Sequence, residues 1–134
     1  MNRDERLRWS LFSLRFAVFI VMMAWTADKF LRPAHAGKVF ANFYLLPEWG
    51  KAAFLVIGLS EALVLAAFIA GYKKRLSYGL VLLFHAVSTL SSYKQYLSPF
   101  EGLNLLFFAA WPMLAACWSL YLLRDEDTLW SCRA

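Results

Sequence analysis

Charged residues are scarce in this sequence: they make up 17% of the 134 residues, whereas 61% are hydrophobic. A soluble domain of this length carries about 25% charged residues and less apolar content. The apolar residues also form long runs, whereas a soluble domain alternates core and surface positions. The low charge and the unbroken runs argue against an ordinary soluble domain and predict an integral membrane protein.

Histidine and cysteine are also scarce, with two of each in the chain. Cys117 and Cys132 form no CxxC motif, and no residues have the spacing of a closed zinc site. The sequence therefore predicts no metal site and does not support a thiol-redox mechanism. It also lacks a nucleic-acid-binding motif, so we expect no nucleic-acid partner. We attribute the +5 net charge to Lys and Arg residues that orient the spans in the membrane.

Four apolar runs approach or exceed the ~20 residues that a helix needs to cross ~30 Å of hydrocarbon. They cover residues 11–31, 52–70, 76–97 and 103–123. Membrane strands would instead appear as alternating segments of about ten residues. The sequence thus predicts an all-α, integral membrane four-helix bundle that forms one domain over residues 1–134 and contacts the lipid bilayer.

The distribution of Lys and Arg predicts how these spans are oriented. With four spans, the side that holds both termini carries most of the cations, which favours both termini in the cytoplasm of a bacterial-type inner membrane. The cations on that side are Arg3, Arg6, Arg8, Lys73, Lys74, Arg75, Arg124 and Arg133, and those opposite are Lys29, Arg32, Lys38, Lys51 and Lys94.

The first external loop, residues 32–51, contains an apolar stretch at residues 38–46. Such a stretch is too apolar for a freely solvated loop. We therefore predict a short interfacial helix or cap there.

Glu61 lies near the middle of the second apolar run, close to the bilayer midplane. A charge at that depth costs about 2.5–3.5 kcal/mol, and intramembrane acids usually face a partner in the bundle interior. His85, at a similar depth in the third run, is the predicted partner. Two interpretations stay open: a structural hydrogen bond that fixes the helix pairing, or a pair that handles a proton or a ligand.

His85 also begins a row of polar side chains along the third helix, at positions 85, 88, 89, 92 and 96. Spacings of three and four place these residues on one face, which we expect to point into the bundle. In the functional interpretation, an apolar pocket lies beside Glu61 and His85. The candidate ligand-binding residues are Lys29, Trp25, Ser88, Thr89, Asn104, Trp111 and Trp118.

Four of these candidates have more specific expected roles. Trp25, together with Trp111 and Trp118, would line the apolar pocket. Lys29 would stabilise an anionic headgroup or carboxylate at the outer mouth.

Three other features receive structural interpretations. Arg15 lies close enough to the cytoplasmic end of the first span to extend its guanidinium to the membrane surface. The acidic run at residues 125–127 is expected to be a solvated tail. Pro112 interrupts the hydrogen-bond ladder of the fourth helix and is expected to kink it.

Two short motifs carry a family resemblance. ADKFLRP at residues 27–33 has a lysine, an apolar pair and a proline, and SEAL at residues 60–63 is followed by aliphatics, Gly71 and Lys74-Arg75. Both are similar to motifs of the DoxX-like superfamily of small four-helix membrane proteins, of the DoxX and DoxD type. The sequence departs from the family by lacking a glycine shortly before Lys29 and the cysteine pairs of the methylamine-utilisation relatives.

The resemblance implies a membrane subunit associated with redox or quinone-linked chemistry, as in thiosulfate:quinone oxidoreductase. We therefore expect an accessory or quinone-linked subunit of a membrane redox system, with quinone as the implied cofactor. Its expected partners are other membrane or redox subunits, or further copies of the chain. The alternatives are a non-catalytic structural or assembly subunit and a proton-coupled small-solute carrier, and whether the chain is an enzyme stays open.

Overall fold

The computed structural model describes residues 1–32, 38 and 51–132, without the side chains of Lys29 and residues 51–54. This part of the chain is helical and contains no strand, which confirms the all-α prediction there. Of the interfacial helix predicted at residues 38–46, only Lys38 is described. The helices are α1 (Arg3–Leu31), α2 (Lys51–Ala70), α3 (Lys74–Ser91), α4 (Tyr93–Leu97), a 3₁₀ helix (Asn104–Ala109) and α5 (Ala110–Leu122).

In the described part of the chain, two helical segments are long and apolar enough to cross a membrane, by length and composition. They are Arg3–Asp28 and Asn104–Leu122, each with a mean hydropathy of 1.7. Only 22% and 11% of their most apolar stretches are buried inside the protein. Exposed apolar surface of this extent marks a face that meets a membrane or another protein.

Helix α1 begins eight residues before the predicted start of the first apolar run. Its start is fixed by a capping box, in which the Asn2 side chain accepts from the Glu5 backbone N–H at 2.9 Å. The Glu5 carboxylate in turn accepts from the Asn2 backbone N–H at 3.1 Å. The charged N-terminal residues are therefore a helical extension of the first run.

The third and fourth apolar runs are each divided in two. Helix α3 ends at Ser91, and the short helix α4 follows after Ser92. In the fourth run the 3₁₀ helix changes to an α-helix at Ala110. Pro112 therefore falls in the first turn of α5, directly after the change of helix type. The expected kink at Pro112 stays a prediction.

After α5, residues 123–132 fold back across the ends of the other helices, and we call this segment the C-terminal strap. The Cys132 N–H donates to the Ala70 carbonyl oxygen at 2.7 Å, at the end of α2. The Trp130 ring packs edge-on against Phe12 of α1, with 5.0 Å between centroids. The start of α1 and the ends of α2 and α5 thus meet at one end of the molecule, the strap end.

The buried apolar core of the described residues lies toward the strap end. Helix α1 packs against α2 and α5, and α3 packs against the same two helices. Each of these four helices contributes two buried apolar residues from the middle of the helix or from the half that is nearer the strap. They are Leu11, Val18, Leu65, Phe68, Tyr78, Val81, Cys117 and Leu120. Away from the strap, the buried side chains among the described residues are polar: Thr26, His85, Thr89 and Ser92.

Candidate functional site

Glu61, at the centre of α2, faces α1. The Thr26 hydroxyl donates a hydrogen bond to Glu61 Oε2 at 2.9 Å, and Thr26 is only 1% exposed. About one helical turn away, the Phe30 ring lies against Gly58, whose missing side chain allows this close approach. Glu61 itself is half-buried. The carboxylate therefore belongs to the contact between α1 and α2.

His85 joins α3 to the beginning of α5. Its Nε2 atom lies 2.9 Å from the main-chain carbonyl oxygen of Ala110. Because a carbonyl oxygen only accepts, Nε2 must carry the hydrogen in this contact. The structure thus places Glu61 and His85 in separate contacts, one between α1 and α2 and the other between α3 and α5. A direct bond between the two stays a prediction.

The polar row of α3 faces the interior at three of its positions. His85, Thr89 and Ser92 are buried, while Ser88 is exposed. The Thr89 hydroxyl donates to the His85 carbonyl at 2.8 Å, and the Ser92 hydroxyl donates to the Ser88 carbonyl at 3.1 Å. These bonds return to the helix that bears the side chains, as is common for Ser and Thr in apolar helices.

Two of the three candidate tryptophans lie together. Trp111 and Trp118, on one face of α5, line an open depression of about 460 Å³ with the side chains of Leu82, Leu114 and Ala115. All of these side chains are apolar or aromatic. Trp25 lies on α1 and is 54% exposed.

The remaining candidates are Asn104 and Lys29. The Asn104 side-chain amide donates to the Ser98 carbonyl at 2.9 Å, which ties together the loop before the 3₁₀ helix. The side chain of Lys29, the expected headgroup ligand, lies outside the described part of the structure.

A buried ionic site at the strap end was missed by the sequence interpretation. Arg15 Nη1 lies 3.3 Å from Asp127 Oδ2, and both side chains are 0% exposed. The Tyr78 hydroxyl donates to the same Oδ2 at 2.5 Å. The extension of Arg15 to the membrane surface and the solvated position of Asp127 are both wrong predictions, because each charge is stabilised by the other inside the protein.

Two further contacts extend this site. Arg15 Nη2 donates to the Leu129 carbonyl at 2.5 Å, and the Lys74 ammonium donates to the main-chain carbonyl of Asp127. Burial lowers the pKa of the Lys74 ammonium, and the negative charge of Asp127 opposes that effect. Residues of α1 and α3 thus hold the strap through one buried carboxylate and its main chain.

The sequence did contain a signal for this site. Arg15 is the one cation well inside the first apolar run, and an intramembrane charge usually has a partner. The acids at residues 125–127 lie on the same predicted side of the membrane as Arg15. Those two facts together point to the tail as the source of that partner.

The two cysteines provide a direct check of this end of the structure. Cys117 is 3% exposed and Cys132 is exposed. We expect a membrane-impermeant maleimide to modify one thiol per folded chain in detergent, at Cys132, and two after denaturation. Intact-protein mass spectrometry counts the added groups. Modification of Cys117 in the folded protein would contradict the packing of α5.

The arrangement offers two polar centres with different chemistry. Glu61, beside the Thr26 hydroxyl, can accept and release a proton, whereas the Arg15–Asp127 pair ties the strap to the helices. Among the residues that the structure describes, no group of three or more His, Cys, Asp or Glu side chains is placed to hold a metal ion. Searches of protein-family models, curated proteins and solved structures gave no match to this chain.

Proposed function

We propose that this chain is a DoxX-like, multi-pass protein of a bacterial-type inner membrane, with four spans and both termini in the cytoplasm. In this proposal it serves a quinone-linked membrane redox system as an accessory subunit. The observation that most supports the proposal is the Thr26–Glu61 hydrogen bond. It fixes a carboxylate at the centre of an apolar helix, where an ionisable group is retained mainly for a function.

Glu61 is the proton-handling group in this proposal. A carboxylate accepts a proton when ionised and donates one when protonated. The bond from Thr26 fixes the position of Oε2, and the packing of Phe30 on Gly58 holds α1 and α2 together nearby. A proton therefore reaches or leaves an acid of defined position within the contact of these two helices.

The described depression beside Trp111 and Trp118 offers a quinone headgroup few polar groups. A quinone carbonyl needs a hydrogen-bond donor, and only the two indole N–H groups can donate among the side chains that line it. The hydrogen on His85 Nε2 is already directed to Ala110. Glu61 lies at a different helix contact. The proposal therefore assigns the redox centre to a partner subunit and the proton transfer to Glu61.

Replacing Glu61 with Gln tests this assignment. The amide oxygen still accepts from Thr26, so the shape and the hydrogen bond are kept, while the group no longer titrates. Removal of a general acid or base typically costs 10²–10⁴ in rate, and we expect quinone-linked turnover of the purified complex to fall by at least about tenfold.

Thr26→Val is the matched control, because it removes the hydrogen bond and keeps the carboxylate. We expect this variant to retain turnover and to shift its pH profile. Co-purification of the partner chains should be unchanged in both variants. If the Glu61→Gln variant assembles normally and turns over at the wild-type rate, the proton-handling role is refuted.

The second candidate function is a non-catalytic assembly subunit, favoured by the exposed face of α5. Trp111 and Trp118 flank the small residue Ala115, which leaves an open apolar depression for a partner helix. In this case Ala115→Phe, which fills the depression, would release the partner chains. Glu61→Gln would leave both assembly and turnover intact.

A further inference from the structure

Three side-chain donors converge on one acidic residue at the strap end. The Arg15 guanidinium forms an ion pair with Asp127 Oδ2, and the Tyr78 hydroxyl donates to the same oxygen. Lys74 donates to the Asp127 main chain. The donors come from α1 and α3, whereas Asp127 comes from the strap. A guanidinium and a hydroxyl at one carboxylate, with an ammonium at the main chain of the same residue, are the composition of an anion-binding site.

The fit between this site and Asp127 is incomplete on both sides. Among the described residues, Arg15 Nε and Asp127 Oδ1 are buried and have no hydrogen-bond partner. A guanidinium binds a carboxylate or phosphate best through two parallel hydrogen bonds, which use two oxygens of the anion. Asp127 presents one oxygen, Oδ2, to Arg15 and Tyr78. An anion that is not tethered to the strap can also accept a hydrogen bond from Arg15 Nε.

The strap is held specifically through this one acid. Asp125 and Glu126 are exposed, and Asp127 alone enters the protein. The other polar contacts of the strap with α1 and α2 involve its main chain, at Leu129, Trp130 and Cys132. A competitor for the position of Asp127 therefore removes the one side-chain anchor that pairs with Arg15.

We propose that Arg15, Tyr78 and Lys74 form an anion receptor that the strap occupies with its own carboxylate. The external ligand is a single carboxylate or phosphate group, carried either by a soluble molecule or by a lipid headgroup. Binding of that ligand releases the strap, and loss of the ligand lets Asp127 close the site. This inference does not depend on the redox role of Glu61.

Chemical rescue tests the receptor. The full-length Asp127→Ala protein is unfolded by heat in detergent, with added formate, phosphate or chloride at equal ionic strength. We expect its Tm to lie below the wild-type value and to rise saturably with formate or phosphate, since a ligand of the folded state stabilises it. Equal responses to formate, phosphate and chloride would overturn the proposal.

The double variant Arg15→Met/Asp127→Ala is the control for that experiment. It lacks the guanidinium that binds the anion, so its Tm should respond equally to formate, phosphate and chloride. A formate-specific rise in this variant would place the anion elsewhere and would also overturn the proposal.

A second measurement uses the wild-type chain and does not require the Asp127→Ala protein to fold. A spin label on the exposed thiol of Cys132 reports strap mobility, since Cys117 is buried. We expect formate or phosphate, but not chloride, to increase the mobile fraction if the ligand is soluble. We expect anionic vesicles, but not zwitterionic ones, to increase it if the ligand is a headgroup. An unchanged mobile fraction in both comparisons would overturn displacement of the strap.

Discussion

Asp127→Asn is expected to destabilise the folded protein more than replacement of both members of its ion pair. The single change leaves the guanidinium of Arg15 buried without its counter-charge, and breaking a buried pair in this way costs about 3–5 kcal/mol. In Arg15→Met/Asp127→Asn the buried charge is gone, and exchange of a buried pair for uncharged groups is often close to neutral. We expect this double variant to regain most of the lost free energy of unfolding.

Equilibrium unfolding in mixed detergent micelles measures these free energies. Tyr78→Phe is the matched control, because it removes the hydrogen bonds of the hydroxyl with Asp127 Oδ2 and Arg15 Nη1 and leaves both charges. We expect it to cost about 1.5–3 kcal/mol, the usual net value of a hydrogen bond to a charged group. If the double variant loses as much free energy of unfolding as the two single variants together, the two charges do not interact.

Gly71→Ala is expected to detach the strap. Gly71 has a φ of +66°, and a Cβ atom there would lie 2.4 Å from Ser131 Cβ and 3.1 Å from its Cα. The left-handed backbone costs an alanine about 1–2 kcal/mol, and the clash in addition moves Ser131. Because Ser131 adjoins the main-chain contacts at Trp130 and Cys132, the loss should exceed the backbone strain alone.

Gly102→Ala measures the cost of left-handed backbone without a steric clash. Gly102 also has a positive φ, of +52°, but nothing lies within 4 Å of its ideal Cβ position. We expect this variant to lose only the strain energy, about 1–2 kcal/mol, and to leave a label on Cys132 as mobile as in the wild type. Equal losses of stability in the two variants, with equal label mobility, would contradict the contact between Ser131 and Gly71.

Local composition was sufficient to predict that the described part of the chain is helical. The apolar runs predicted an all-α chain, because length and hydropathy are properties of each segment taken alone. The spacing of the polar row predicted the burial of His85, Thr89 and Ser92, whereas Ser88, on the same predicted face, is exposed. Helix boundaries were less accurate, since the capping box at Asn2 and the change of helix type at Ala110 depend on backbone geometry rather than on hydropathy.

The contact partner of a side chain was harder to predict than the helix face on which the side chain lies. Matched depth suggested His85 as the partner of Glu61, but depth does not say which neighbouring helix a side chain meets. The structure gives Glu61 a bond from Thr26 of α1, and it directs His85 to the main chain of Ala110. A main-chain carbonyl at the start of a helix carries no sequence signature, so this partner of His85 could not be predicted.

The strap was the largest feature that the sequence interpretation missed. Arg15 and Leu129, which share a hydrogen bond, are separated by 114 positions, and a tail with three consecutive acids resembles a solvated segment. What distinguishes Asp127 from Asp125 is the fold of the chain around Arg15. Only the presence of a cation inside an apolar run indicated that some acid should be there.

The proposed role of this chain as a subunit of a membrane redox system can be tested by the composition of its assembly in native lipid. Mass spectrometry of the intact assembly, extracted from the membrane without detergent exchange, identifies the chains and small molecules that travel with it. We predict a larger partner that carries a redox centre, retained when Glu61 is changed to Gln. Recovery of the chain alone, or bound only to copies of itself, would contradict the proposed function.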